Sequence, residues 1–247
     1  MTATMTTRTP IDLPAGAVHV WRAALDVDAD ALIKLAGVLD DTERARAARF
    51  RFDSHRAHYI AGRGILRSVL ADYLAVEPAE VAFVYGPNGK PALARPHAKA
   101  GLEFNLSHSG GQALVAVARG RRVGVDIEQH RGDRDLMRLA RRYFHANEAA
   151  DVASADGEEL ARRFFFYWTC KEAYLKGIGG GITVGLDRFA VQRPSRPATA
   201  PLRLTYDHLD RDRWVLCALD AEQGYSAAVA YEQPNANLQW RVWRAET

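Results

Sequence analysis

Cysteine is scarce in this sequence. Cys170 and Cys217 are the only two in 247 residues, and no metal-ligand spacing relates them. That excludes a disulfide framework and predicts a reducing compartment. Long apolar runs are also missing: none approaches the roughly 20 residues that cross a bilayer. Residues 1–10 are rich in threonine and contain no apolar run, so they do not read as a signal peptide. Charge of one sign is lacking as well. Lys and Arg number 33 against 30 Asp and Glu, a flatter balance than a nucleic-acid binder shows. These absences predict a cytoplasmic protein with neither a membrane nor a nucleic acid as partner. The small, mostly arginine excess suits an anionic small molecule or an acidic partner protein, and equally an ordinary solvated surface.

What is present is a globular balance, 48% hydrophobic and 26% charged, enough for one large domain or two of about 120 residues. Residues 1–16 read as a disordered lead. Residues 19–21 read as a strand. Residues 26–49 read as helical, with Leu32, Leu35, Ala36 and Leu39 at helical spacing. Residues 54–74 form a stronger helical pattern, with Tyr59, Leu66, Val69, Leu70 and Tyr73 on one side and Asp53 or Ser54 as cap. Residues 81–85 read as a strand closed by a Gly86-Pro87-Asn88-Gly89 turn. Two apolar stretches, 102–106 and 113–118, predict antiparallel strands linked through 107–111, and 123–128 follows as a third. In the second half, 136–144 and 158–178 read as helices; 186–191, 202–206, 214–219 and 226–231 read as strands. The segments at 113–118 (ALVAVA) and 226–231 (SAAVAY) hold similar places in each half, a weak duplication of an α+β unit. The expectation is an α+β fold with an N-terminal lobe (17–122), a C-terminal lobe (123–247) and a site in the cleft between them.

Four motifs and a basic cluster carry chemistry. On a strand at 123–128, Val123, Val125 and Ile127 face a core while Gly124, Asp126 and Glu128 face the other way. Two carboxylates on one face repel unless a cation lies between them, and oxygen ligands suit Mg²⁺. Alone, the pair reads more readily as surface acids at a strand end. At 168–176 (WTCKEAYLK), Glu172 and Lys176 share a helix face. Phe164, Phe165, Phe166, Tyr167, Trp168 and Tyr174 predict that this helix is buried, and a buried charged pair needs partners. Residues 177–181 hold four glycines, which lets a backbone approach a ligand. At 105–110 (NLSHSG), Ser107 and His108 leave a strand together, donors suited to phosphate or simply a polar turn. No G-x-S-x-G elbow supports a serine hydrolase. Lys90, between Gly89 and Pro91, is a point charge for phosphate or a plain turn lysine, and no P-loop surrounds it. Arg44, Arg46 and Arg49, with Arg63 and Arg67 on the next helix, normally form a solvated face, from which one or two could clamp a polyphosphate. Combined, three acids, two lysines and a histidine are what a diphosphate–Mg²⁺ reaction requires.

The runs Asn105-Leu106-Ser107-His108-Ser109, Gly124-Val125-Asp126-Ile127-Glu128 and Trp168-x-x-Lys171-Glu172-Ala173-x-x-Lys176 resemble the signature motifs of the 4′-phosphopantetheinyl transferases. The closer likeness is to the large, surfactin-synthetase-activating type, and Gly89-Lys90-Pro91-x-Leu93 matches a further family motif in order. The resemblance spans residues 44–182. It implies a pseudo-twofold monomer with coenzyme A in the cleft between the lobes. It implies that Asp126, Glu128 and Glu172 ligate Mg²⁺, or Mn²⁺ in its place. By the same matching Lys176 and His108 contact the phosphates, Lys90 and Ser107 the nucleotide part, and Arg46 a CoA phosphate. Glu172, Lys176 and His108 are then the catalytic set, and an apo acyl or peptidyl carrier protein is the acceptor. Two alternatives remain beside it: a hydrolase cleaving CoA or a nucleotide diphosphate, and a non-catalytic homologue that binds CoA or a carrier.

Overall fold

The computed structural model describes residues 9–132, 134–180, 185–194, 202, 204–206, 213–233 and 235–245. Of the lead expected to be disordered, residues 1–8 lie outside the described residues. In the remainder, Ile11 and Leu13 are held against the core while Thr9, Pro10, Asp12, Pro14 and Ala15 are exposed. Leu13 is buried, and the Ile11 N–H donates to the Asp72 carbonyl at 2.8 Å.

In the first half, strand β1 (Ala17–Ala24) leads into helices α1 (Ala29–Gly37), α2 (Asp41–Ala48) and α3 (Asp53–Leu74). A hairpin of β2 (Phe83–Tyr85) and β3 (Pro91–Leu93) follows, then β4 (Leu102–Ser109), β5 (Gln112–Arg119) and β6 (Val123–Gln129). The single helix expected over 26–49 is two, because Asp40 and Glu43 exchange side-chain-to-backbone hydrogen bonds and restart the helix. The link expected over 107–111 is also shorter. β4 continues through Ser109, leaving Gly110-Gly111 as the turn, with Gly110 at φ 55°.

The second half holds α4 (Leu136–Tyr143), α5 (Ala146–Ala153), α6 (Gly157–Ile178), β7 (Phe189–Val191), β8 (Leu204–Tyr206), β9 (Trp214–Leu219), β10 (Tyr225–Glu232) and β11 (Asn237–Val242). Neither α5 nor β11 is legible in the sequence. α5 is too short for a clear period and starts at a capping box of His145 and Glu148. β11 pairs in parallel with β1, so the end of the second half joins the sheet of the first.

The two larger sheets run β11-β1-β5-β4 and β6-β10-β9. Alternation along the strands sorts their faces. Val18, Val20, Leu114 and Ala116 of the first sheet meet Val125, Ile127, Val215 and Val229 of the second in one core. The opposite face of the first sheet packs on α3 through Ile65, Leu66, Val69 and Leu70. That of the second packs on α6 through Phe164, Ala173, Tyr174 and Leu175. The layers are therefore helix, sheet, sheet, helix, a mixed α/β architecture.

Where β4 faces β6, the inward positions are polar. Asn105 Oδ1 accepts from the Val125 N–H (2.9 Å), Ser107 Oγ from Ile127 (3.4 Å) and Ser109 Oγ from Gln129 (3.1 Å). β6 is an edge strand whose outward N–H groups would otherwise lack partners. Every second residue of Asn105-Leu106-Ser107-His108-Ser109 thus supplies a side-chain substitute for a neighbouring strand.

Candidate active site

The same serines reach the carboxylates beside those N–H groups. Ser107 Oγ donates to Asp126 Oδ1 at 2.8 Å and Ser109 Oγ to Glu128 Oε2 at 2.8 Å. From α6, Lys176 Nζ donates to Asp126 Oδ1 at 2.6 Å and to Ser107 Oγ at 2.9 Å. Four residues of the sequence motifs therefore converge: Ser107 on β4, Asp126 and Glu128 on β6, and Lys176 on α6, with Glu172 one turn back on that helix.

Close packing makes this possible. A Cβ placed on Gly124 would lie 2.1 Å from the Ala173 carbonyl oxygen and 2.3 Å from the Gly177 nitrogen. Glycine at 124 lets α6 lie directly on β6. Gly177 is helical and packs against the Trp214 ring, so its smallness serves packing rather than the ligand approach expected of 177–181. Residues 181–184 lie outside the described residues.

The acids sit in a hostile environment. Burial pushes the Asp126, Glu128 and Glu172 carboxyls above their ordinary range, and the Asp126 charge adds to the shift at Glu128 and Glu172. Lys176 opposes it at all three. Asp126 Oδ2 and Glu172 Oε1 are buried without a hydrogen-bond partner. Orphaned buried oxygens are costly, and an anionic, all-oxygen donor set fits a hard divalent cation such as Mg²⁺. Among the described residues, no three His, Cys, Asp or Glu side chains are already gathered into a metal cage. Like charges spread apart, and the Lys176 ammonium stands against Asp126 instead.

His108 points the other way along β4 and is exposed at a cavity of about 460 Å³. His58, Tyr59, Ser109, Glu128 and Phe165 share its lining, so both halves build it. Surrounding protein and the Lys176 charge hold the His108 pKa below its ordinary value. Arg46 lies beside this cavity, exposed, with its guanidinium 5.5 Å from the Tyr59 ring centroid. Lys90 is engaged elsewhere: its ammonium donates to the Val123 and Lys176 carbonyls.

Arg63 and Arg67 correct the expectation of a solvated or phosphate-clamping face. Both are buried and committed to protein partners. Glu43 accepts from Arg63 Nε and Arg67 Nε, each at 2.6 Å, and Arg67 Nη2 reaches Asp40. Spacing alone does not single out Lys171. It is fully buried, pairs with Glu148 at 2.8 Å and donates to the Leu186 carbonyl at 2.7 Å. Its sequence signals are its place in the Trp168-x-x-Lys171-Glu172 run and its position on the aromatic side of α6.

Comparison with known proteins identifies the family. Residues 27–120 match the family model described as 4′-phosphopantetheinyl transferase, N-terminal, and residues 122–230 match that of the 4′-phosphopantetheinyl transferase superfamily. The 4′-phosphopantetheinyl transferase HetI of Nostoc sp. is 44% identical over 86% of each chain. A phosphopantetheinyl transferase of Thraustochytrium sp. is 35% identical, covering 94% of this chain and 85% of that one. The Bacillus subtilis 4′-phosphopantetheinyl transferase Sfp is 27% identical, covering 78% and 81%. The chain therefore belongs to the 4′-phosphopantetheinyl transferase superfamily, in its larger, Sfp-like type.

Proposed function

We propose that this protein transfers the 4′-phosphopantetheine group of coenzyme A to a serine hydroxyl of an apo acyl or peptidyl carrier protein, with Mg²⁺, releasing 3′,5′-ADP. The observation that carries the reading is the meeting of Asp126, Glu172, Lys176 and Ser107 beside a cavity built by both halves, with two carboxylate oxygens left unpartnered. Asp126, Glu172 and Glu128 would hold Mg²⁺, which when bound offsets charge on the diphosphate. Lys176 and His108 bind the phosphates, with Ser107 beside them and Arg46 at the rim by Tyr59. The carrier hydroxyl attacks the phosphorus bonded to pantetheine. That P–O bond forms as the bond to the bridging oxygen of 3′,5′-ADP breaks. Lys176 offsets charge on the departing diphosphate oxygen. The hydroxyl proton passes to Glu172, directly or through a water it orients.

The two helix-on-sheet units, α3 with the first sheet and α6 with the second, are read as pseudo-twofold lobes, 17–122 and 123–247, of a cytoplasmic monomer, with β11 of the second reaching across to complete the sheet of the first. No helix of the described residues is long and apolar enough to cross a membrane.

Incubation with CoA, Mg²⁺ and an apo carrier protein, followed by weighing the carrier, tests the function. Gain of one phosphopantetheine mass is expected. CoA breakdown with no gain on the carrier would mean a hydrolase, and bound CoA with neither change a non-catalytic binder.

The raised carboxyl pKa values add a pH prediction. A folded chain whose acids titrate high holds more protons than the unfolded one above pH about 4. Stability of the metal-free protein should therefore fall as pH rises through that window. Mg²⁺ should oppose the loss, so its upward shift of melting temperature should be larger at pH 7 than at pH 5. A shift independent of pH would remove these acids from the ligand set.

A further inference from the structure

Helix α6 closes at Ile178, with Gly179 at φ 73° donating to the Leu175 carbonyl. The last carbonyls of a helix have no partner inside it. Two of those beyond Leu175, and the carbonyl of the cap residue Gly179, are met from other elements. The Lys176 carbonyl accepts from Lys90 Nζ at 2.8 Å, the Ile178 carbonyl from Arg122 Nη1 at 3.5 Å and the Gly179 carbonyl from Asn88 Nδ2 at 2.8 Å. Lys90 Nζ also donates to the Val123 carbonyl at 3.0 Å, at the start of β6. One ammonium thus joins the strand that carries Asp126 to the residue whose side chain touches Asp126. Asn88 and Lys90 both lie in the turn between β2 and β3, in the other half of the molecule.

We propose that the β2–β3 turn is a positioning clamp for the transfer site: Asn88 and Lys90 fix the last turn of α6 against β6, and so fix the main chain from which Lys176 reaches Asp126 and Ser107. In this role Lys90 acts on the transfer step through the main chain of Lys176. The proposal rests on the transferase reading above. Its physical basis is local. Cations and donors at a helix C-terminus satisfy the free carbonyls and offset the helix dipole. Gly177 and Gly179 bring no side chain of their own to restrain this turn. A displacement of about 1 Å at a reacting group can cost roughly 100-fold in rate.

Lys90→Met and Asn88→Ala in the full chain test the clamp by two readouts. Hydrogen exchange of the peptide covering 173–180 should quicken by about 10-fold or more in each variant, because the last turn opens locally. In steady-state transfer to an apo carrier, kcat should fall about 10- to 100-fold for Lys90→Met and less for Asn88→Ala, with the KM for CoA within about 2-fold of wild type. A raised KM at unchanged kcat would identify Lys90 as a nucleotide contact and overturn the proposal. Unchanged exchange would overturn it, as would faster exchange with unchanged kcat. If the wild-type protein transfers nothing, the transferase reading fails by itself, and the exchange data alone decide whether the clamp exists.

Discussion

Gly124→Ala should cost the protein about 3 kcal/mol of stability, the upper part of the range for overpacking a core, and most of its transfer activity. The added methyl would meet the Ala173 carbonyl oxygen at 2.1 Å and the Gly177 nitrogen at 2.3 Å. Both are main-chain atoms, so no side-chain rotation relieves the clash. Either α6 lifts from β6 or β6 bends away from β10. In both cases Glu172 and Lys176 leave Asp126, and a shift of about 1 Å there predicts roughly 100-fold slower turnover per folded molecule. Thermal melting gives the first number, and carrier mass gain normalised to folded protein gives the second. Gly37→Ala is the control. Gly37 lies on α1, and a methyl group added there would have nothing within 4 Å. Alanine at that position should leave activity intact and add up to about 1 kcal/mol. A Gly124→Ala protein that melts and turns over like wild type would show that the helix does not need this close approach.

Asp126→Asn should separate activity from stability in the opposite sense. Asp126 is 2% exposed, its carboxyl is raised by burial, and Oδ2 has no partner. At neutral pH the ionised form therefore weighs against the metal-free fold, and a neutral isostere removes that cost. The amide oxygen can still accept from Lys176 and Ser107, and Lys176, 30% exposed in its side chain, can turn toward water. The metal-free variant should melt at or above the wild-type temperature. Turnover should nevertheless drop by about 1,000-fold, since the negative charge needed opposite the cationic part of the site is gone. Sites that hold unfavourable charge for chemistry commonly show this trade. A variant with lower melting temperature and near-normal turnover would place Asp126 in the structure and outside the reaction.

Part of this is legible in the sequence because it is local. The alternation of Val123-Gly124-Val125-Asp126-Ile127-Glu128 places Asp126 and Glu128 on the face opposite the apolar core, and β6 does so. The aromatic run before Glu172 marks α6 as a buried helix, and the motif order carries the family. Other features are hidden because they depend on distant contacts. β11 has an ordinary alternation and becomes a strand by pairing with β1. Arg63 and Arg67 read as a solvated face until Glu43 is folded back between them. The Ser107–Ser109 run resembles a turn until the free edge of β6 supplies N–H groups for its hydroxyls.

The three acids divide along the same line. The sequence by itself determined which residues carry charge and which share a strand or helix face, since periodicity follows from backbone geometry. Only the tertiary structure decided their partners: Ser109 on Glu128, Ser107 and Lys176 on Asp126, and buried oxygens of Asp126 and Glu172 with none. Lys90 is the clearest case. Its two carbonyl partners lie 33 and 86 residues away, and no local pattern records contacts made by folding two halves together.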